Sequence, residues 1–348
     1  MHPQLAREAF SADDCARDLV RDLHEPNPKI FWMDLVLTAI IGWSAFRGAV
    51  VLDSYWSICA LVVMSLAMYR GLCFIHELTH VRARALPGFE TAWNLVFGVP
   101  LLLPSFVYVG VHQDHHKLST YGTSQDPEYM PFAKSNLMMI FFVAHSVLIP
   151  AFLLLRFVIL TPIGLLLPPV HRWLVVHASA LSMNLGYRRE VGRVAMRSMK
   201  IWEMVTFGVW ASFFTALWAG AISWRIFAIW YTSTAIVSVV NALRTLGAHE
   251  YESDGVPLDR TKQLLDSIDT PGSFWTELWA PVGLRYHALH HYFPGIPYHN
   301  LAEAHRRFVR TLPADAAYRQ TLSPGLWRTL SKLYSRGRSA RLQPLQHR

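Results

Sequence analysis

The sequence predicts an all-α integral membrane protein built on two spanning helical hairpins, four transmembrane helices in all. Three observations lead there. Of the 348 residues, 52% are hydrophobic and 16% charged; the apolar residues fall in long runs rather than amphipathic stripes; and basic residues gather beside those runs.

The runs at 30–52, 55–75, 204–222 and 226–243 are each near the ~20 residues that cross a bilayer's hydrocarbon core. The last two hold no charge. Two further apolar stretches, 93–111 and 137–167, are broken by Pro100 and Pro104 and by Pro150 and Pro162. A single crossing by the second would put the basic loop 172–200 on the opposite face from Lys117 and Lys134, against the positive-inside bias. Both stretches are therefore expected to be re-entrant or interfacial helices, which leaves every histidine cluster on the cytoplasmic side. Residues 1–29, charged from Arg7 to Glu25, are expected to form a cytoplasmic segment and not a secretory signal. Residues 30–310 would form one membrane domain, and 311–348 a basic cytoplasmic tail.

Asp34 lies about one turn into the first span, and Arg70 just over one turn from the end of the second. Antiparallel packing brings them level, so they either pair or snorkel separately to the interface. Cys15, Cys59 and Cys73 lack CxxC spacing and indicate neither a disulfide framework nor a zinc ribbon. The net charge of +8 sits largely in span-flanking arginines and lysines such as Arg188, Arg189, Arg193, Arg197 and Lys200. That placement suits membrane orientation and argues against nucleic acid as a partner.

The chemistry is carried by histidine. HELTH, residues 76 to 80, matches the zinc site of many metalloproteases, in which two His bind metal and the Glu activates water. The competing reading makes His76 and His80 part of a larger all-histidine site. HQDHH follows with His112, His115 and His116, and HALHH with His287, His290 and His291. On a helix, positions i and i+4, or i, i+3 and i+4, share a face, so each cluster can aim its imidazoles at one point. Eight clustered ligands exceed what one zinc takes and suit two metals. Imidazole binds Zn, Cu, Fe and Ni, so donor softness does not choose among them. A protease of this kind would need a third, usually acidic, ligand on a distant span, and 204–222 and 226–243 offer none.

The order HxxxH, HxxHH, HxxHH, with spans before the first cluster and between the second and third, resembles the membrane fatty-acid desaturase family. HHYFPGIPYHNL (290–301) and NALRTLGAHEY (241–251) are similar to its bacterial lipid-desaturating members. The resemblance implies two irons, molecular oxygen as co-substrate, and a cytoplasmic site above a membrane-buried acyl tunnel, in a bacterial inner membrane. By that pattern His76, His80, His112, His115, His116, His287, His290 and His291 match metal ligands, and His249 an additional one. Related enzymes can place an Asn four residues before that His; here Thr245 stands there, and Asn241 is eight before. Asp126 and Asn300 are candidates to orient ligand imidazoles through the second ring nitrogen, although turn chemistry equally explains Asp126-Pro127. His145, His171, His177, His299 and His305 fall outside the motifs. Glu77, one residue from His76, points about 100° around the helix and need not act as a base.

The activity this implies is oxygen-dependent desaturation of an acyl chain, carried on a membrane lipid or an acyl thioester. Hydroxylation or carotenoid oxygenation by the same site, and a non-catalytic membrane metal-binding protein, are the alternatives. With no HPGG haem motif and no CxxC pairs, electrons are expected from a separate donor of ferredoxin, rubredoxin or cytochrome b5 type. Trp210, Phe213, Phe214, Trp218, Phe227 and Trp230 are candidate tunnel residues, with packing or lipid contact as the plainer reading.

Overall fold

The structure is a computed structural model and describes residues 16–342. Cys15 and the first half of the expected N-terminal segment lie outside them. Among the described residues every regular element is helical.

Helix α1 (Pro28–Val51) starts where Asn27 accepts from the Lys29 amide at 3.1 Å, with Pro28 in the first turn. Its buried residues Phe31, Leu35, Thr38 and Gly42 recur every three to four positions and face α2 (Ser54–His80). The opposite face shows Met33, Leu37, Ile40 and Ile41 outward, as a lipid-facing surface requires. Arg70 and Asp34 do pair, with Nη2 2.7 Å from Oδ2. The Tyr298 hydroxyl donates to the same oxygen at 2.8 Å.

The first proline-broken stretch doubles back inside the bundle. Helix α3 (Phe89–Trp93) runs into a π-helical turn, Asn94–Gly98, where Leu103 N bonds the Gly98 carbonyl at 2.7 Å instead of the Val99 carbonyl. Pro104 has no N–H for the carbonyl of Pro100. Indoles bond both carbonyls: Trp230 Nε1 supplies the donor Pro100 O lacks and Trp210 Nε1 joins the Leu102 amide on Val99 O, both indole bonds at 3.0 Å. Trp43 Nε1 takes Val96 O at 3.1 Å, and Trp93 Nε1 takes Gly71 O at 2.7 Å. Trp210 and Trp230 are thus buried packing residues, while Trp218 is 90% exposed.

Helices α4 (Val111–His116), α5 (Asn136–Ser146), α6 (Ile149–Leu166) and α7 (Pro168–His177) follow. Then come α8 (Arg193–Trp218) and α9 (Trp224–Leu246), α10 (Arg260–Asp266), α11 (His287–Tyr292), α12 (Tyr298–Thr311) and α13 (Leu326–Leu342). Among the described residues five helices, α1, α2, α6, α8 and α9, are long and apolar enough to cross a membrane, one more than the sequence reading assigned. The additional one is α6, which carries Arg156 near its middle. That guanidinium bonds Ala178 O and Thr161 Oγ1, both at 2.6 Å, and pairs with the buried Glu203 of α8. Residues 326–342, within the stretch expected as a tail, pack as α13. Leu330 and Leu333 are buried there, and Lys332 and Arg336 pair with Glu250 just after the last long helix.

Candidate metal centre

Four segments converge at one end of the bundle. His76 and His80 lie in the last turn of α2, His112, His115 and His116 fill α4, His249 follows the C-terminus of α9, and His287, His290 and His291 lie on α11. Short α4 is aimed from its N-terminal side. Gly110, with φ of 86°, turns the chain into it, and the buried Arg189 guanidinium holds the approach through Phe106 O (2.6 Å), Ser179 O (2.7 Å) and Val109 O (3.0 Å). Gly247 ends α9 two residues before His249, and a Cβ on it would lie 2.6 Å from Leu326 Cδ1.

The nine imidazoles sort into two adjoining groups. Ligand nitrogens of His76, His80, His112 and His290 lie within 4.8 Å of one another, as do those of His115, His249, His287 and His291. His116 joins the first group, its Nε2 3.0 Å from His112 Nε2 and 3.1 Å from His290 Nε2, while its ring stacks on His291 of the second at 4.3 Å. Nitrogens sharing one ion at ~2.1 Å lie at most about 4.2 Å apart, so both groups, with nitrogens within 4.8 Å, are close to the size of a metal shell and need contract only by tenths of an ångström.

Proton placement supports the same reading. Glu128 Oε1 lies 2.7 Å from His112 Nδ1, and both oxygens of the buried Asp126 lie 2.8 and 3.0 Å from His115 Nδ1. A carboxylate only accepts, so each Nδ1 carries the hydrogen and each Nε2 keeps its lone pair. The Tyr121 hydroxyl donates to Asp266 Oδ2 at 2.8 Å and so accepts from His249 Nδ1 at 2.9 Å, with the same result. Yet His249 Nε2 approaches His287 Nε2 at 2.9 Å, and His287 Nε2 lies 3.1 Å from His291 Nε2. One hydrogen on the shared nitrogen cannot serve both contacts. Moreover, His76 Nδ1 and Nε2, His80 Nε2 and His115 Nε2 are buried without a hydrogen-bond partner, Glu77 Oε1 approaching His76 Nδ1 only to 3.5 Å. Converging lone pairs in a dry site repel unless a cation lies among them, so the donor set fits two metal ions.

Burial, followed by the neighbouring imidazoles, holds His112, His116, His287, His290 and His291 well below the ordinary histidine value. These rings are neutral at pH 7, the form that binds metal. Burial also opposes charge on His115, but the Asp126 carboxylate outweighs it and raises that ring. Asp266 is held low: burial pushes it up, and the His249 ring 3.5 Å away together with hydrogen bonds from Tyr121 and Tyr129 more than offsets this.

Of the residues expected to orient ligands, Asp126 bonds His115 and is itself fixed by the amides of Gly122 (2.8 Å) and Glu128 (2.9 Å). Asn300 does not approach either group. Its amide donates to Leu23 O at 2.8 Å, and its Oδ1 faces His299 Nδ1, because the start of α12 packs on the N-terminal segment. Asn241 is likewise elsewhere, on the exposed face of α9 more than two turns before His249. Glu77 accepts from the Tyr298 amide at 3.0 Å and belongs to neither group. HELTH is therefore part of the larger histidine site, and the protease reading loses its base. Sequence reasoning missed Glu128, Tyr108, Tyr121, Asp266 and Arg244, whose Nη2 lies 3.3 Å from His287 Nδ1. Glu128 had one signal, its place two residues after Asp126; Tyr121 and Asp266 are brought to His249 only by the fold.

Residues 54–322 match the family model for fatty acid desaturase. The chain belongs to that family. Among curated proteins this desaturase-family chain is 39% identical over 338 residues to a ceramide hydroxylase of Caulobacter vibrioides (strain NA1000 / CB15N), covering 94% of this chain and 96% of the relative. Membership makes the protein an oxidoreductase of the desaturase and hydroxylase type, and its long apolar helices suit a multi-pass membrane protein.

Proposed function

We propose that the protein is an oxygen-dependent di-iron lipid hydroxylase acting on a ceramide-type substrate. The observation that carries this reading is the end-to-end similarity to a ceramide hydroxylase. It turns the expectation from acyl desaturation to the hydroxylase alternative, which the same histidine set serves equally well. His76, His80, His112, His116 and His290 would hold one iron and His115, His249, His287 and His291 the other.

Bound iron supplies the oxygen activation that side chains cannot, as needed to cleave an unactivated C–H bond. The balance is one oxygen atom inserted into the C–H bond and the other released as water, with two electrons and two protons from a separate donor and solvent. The chain's part is to hold the imidazoles in fixed orientations: Asp126 fixes His115, Glu128 fixes His112, and Asp266 acts on His249 through Tyr121. Seven of the nine rings are buried and His80 and His116 are partly so, which keeps bulk water away from the oxidising step.

The four-span topology belongs to this proposal. Arg156 of α6 meets Glu203 of α8, whereas Leu165 shares a pocket wall with Lys200. Nine residues along α6 are about 14 Å, but three along α8 only about 4.5 Å. Helix α6 therefore crosses the basic end of α8 steeply, as a helix lying in the interface would. All four histidine segments then face the cytoplasm, where the basic surface can dock an acidic electron donor of ferredoxin, rubredoxin or cytochrome b5 type.

The test is to express the chain in a host supplied with ceramide and compare lipids by mass spectrometry with a His290→Ala control. The expected product is ceramide with one added oxygen, absent from the control. Ceramide that has lost two hydrogens would return the reading to desaturation.

A further inference from the structure

Away from the histidines, α6, α7 and α8 enclose a pocket of about 220 Å³ lined by Gly164, Leu165, Pro168, His171, Arg172 and Lys200. Its inner wall is electrically settled. His171 Nε2 bonds Glu203 Oε2 at 3.0 Å, and the other Glu203 oxygen takes the Arg156 guanidinium. Arg172 and Lys200 at the mouth are exposed, and neither has a carboxylate partner among the described residues. Two cations left unpaired beside one cavity select for an anion. The backbone adds little, because Pro168 and Pro169 remove two amide donors from the first turn of α7.

The surroundings identify the source of that anion. Leu166 (80% exposed), Trp173 and Ile201 flank the mouth in sequence and present bare apolar surface. Helix α8 carries no charge from residue 204 onward, so Lys200 stands within one turn of its membrane-embedded part. Soluble phosphate has no use for adjoining apolar surface, whereas a phospholipid fills both halves at once. We infer that Arg172 and Lys200 bind the phosphate of an anionic phospholipid whose acyl chains lie along α6 and α7. This site is separate from the metal centre and rests on the membrane orientation given above. Basic pockets at a helix–membrane boundary select anionic headgroups in this way.

The test reads thermal unfolding of the purified protein in neutral detergent, titrated with phosphatidylglycerol, phosphatidylcholine or inorganic phosphate. Phosphatidylglycerol should raise the midpoint saturably, and the other two should not. In Arg172→Gln/Lys200→Gln the half-saturating phosphatidylglycerol concentration should rise on the order of twentyfold, about fivefold per cation. Arg193→Gln/Arg197→Gln, which removes exposed cations outside the pocket, should stay within about twofold of the parent. An unchanged response in the pocket variant, or equal stabilisation by phosphatidylcholine, would overturn the inference. Equal stabilisation by inorganic phosphate would make the site one for free anions and overturn the lipid assignment. Ceramide turnover is scored on a different product, so its failure would leave this readout intact.

Discussion

Glu128 bonds His112 Nδ1 at 2.7 Å and accepts from the Tyr108 hydroxyl at 3.0 Å. Replacing its charge should weaken a ligand without deleting one. Glu128→Gln is expected to lose ~10 to 100-fold in iron affinity or turnover, whereas His112→Ala should abolish turnover. Iron content and product formation measured on both variants check this, and a Gln variant equal to the parent would remove Glu128 from the site. That Asp34 and Arg70 stand level was legible in the sequence, because hairpin geometry alone sets it; that they pair rather than snorkel separately needed the fold. So did the pair's other partners: Tyr298 arrives from α12, and Glu277 lies 3.8 Å from Arg70. Either neutral substitution should cost about 1 kcal/mol for this half-exposed pair. Exchanging the residues should restore little, since Arg at 34 cannot accept from Tyr298 and Asp at 70 would face Glu277. A swap that recovers full thermal stability would show that the pair acts alone.

At the scale of elements, the doubled-back stretch after α3 is the least regular part of the fold, yet its indoles and one close contact fix it. A Cβ at Gly71 of α2 would lie 2.2 Å from the Phe97 ring, whereas one at Gly208 of α8 meets nothing within 4 Å. Gly71→Ala should therefore destabilise by roughly 1–3 kcal/mol through overpacking, while Gly208→Ala should be neutral or slightly stabilising. Unfolding midpoints in detergent compare the two directly. Pro100 and Pro104 announced the break, because a missing N–H is a local property. That Trp210 and Trp230 would bond the carbonyls there was not readable, since their reach depends on how α8 and α9 pack. The helix α13 was hidden for a related reason: its basic residues look like a solvated tail until Glu250 and the buried Leu330 and Leu333 are seen beside it.

At the scale of the molecule, apolar run lengths set four long helices, and charge placement argued that the stretch containing α6 does not cross. The histidine clusters were legible because i, i+3 and i+4 spacing is a property of one helix. Their division into two groups was not, since His115 leaves its neighbours His112 and His116 to join His249, a partner 134 positions along the chain. The orienting carboxylates Glu128 and Asp266 needed the folded chain for the same reason. Removing metal should destabilise the whole assembly, because nine largely buried imidazoles with converging lone pairs would then face each other unpaired. A chelator should lower the unfolding midpoint, and added iron should restore it. The most direct measurement is the metal content of the purified parent and of His249→Ala. Two irons per chain are expected in the parent, with the variant depleted to about the extent of a His290→Ala control and inactive with it. A single zinc in the parent, or full iron occupancy in His249→Ala, would contradict a centre in which nine histidines hold two irons.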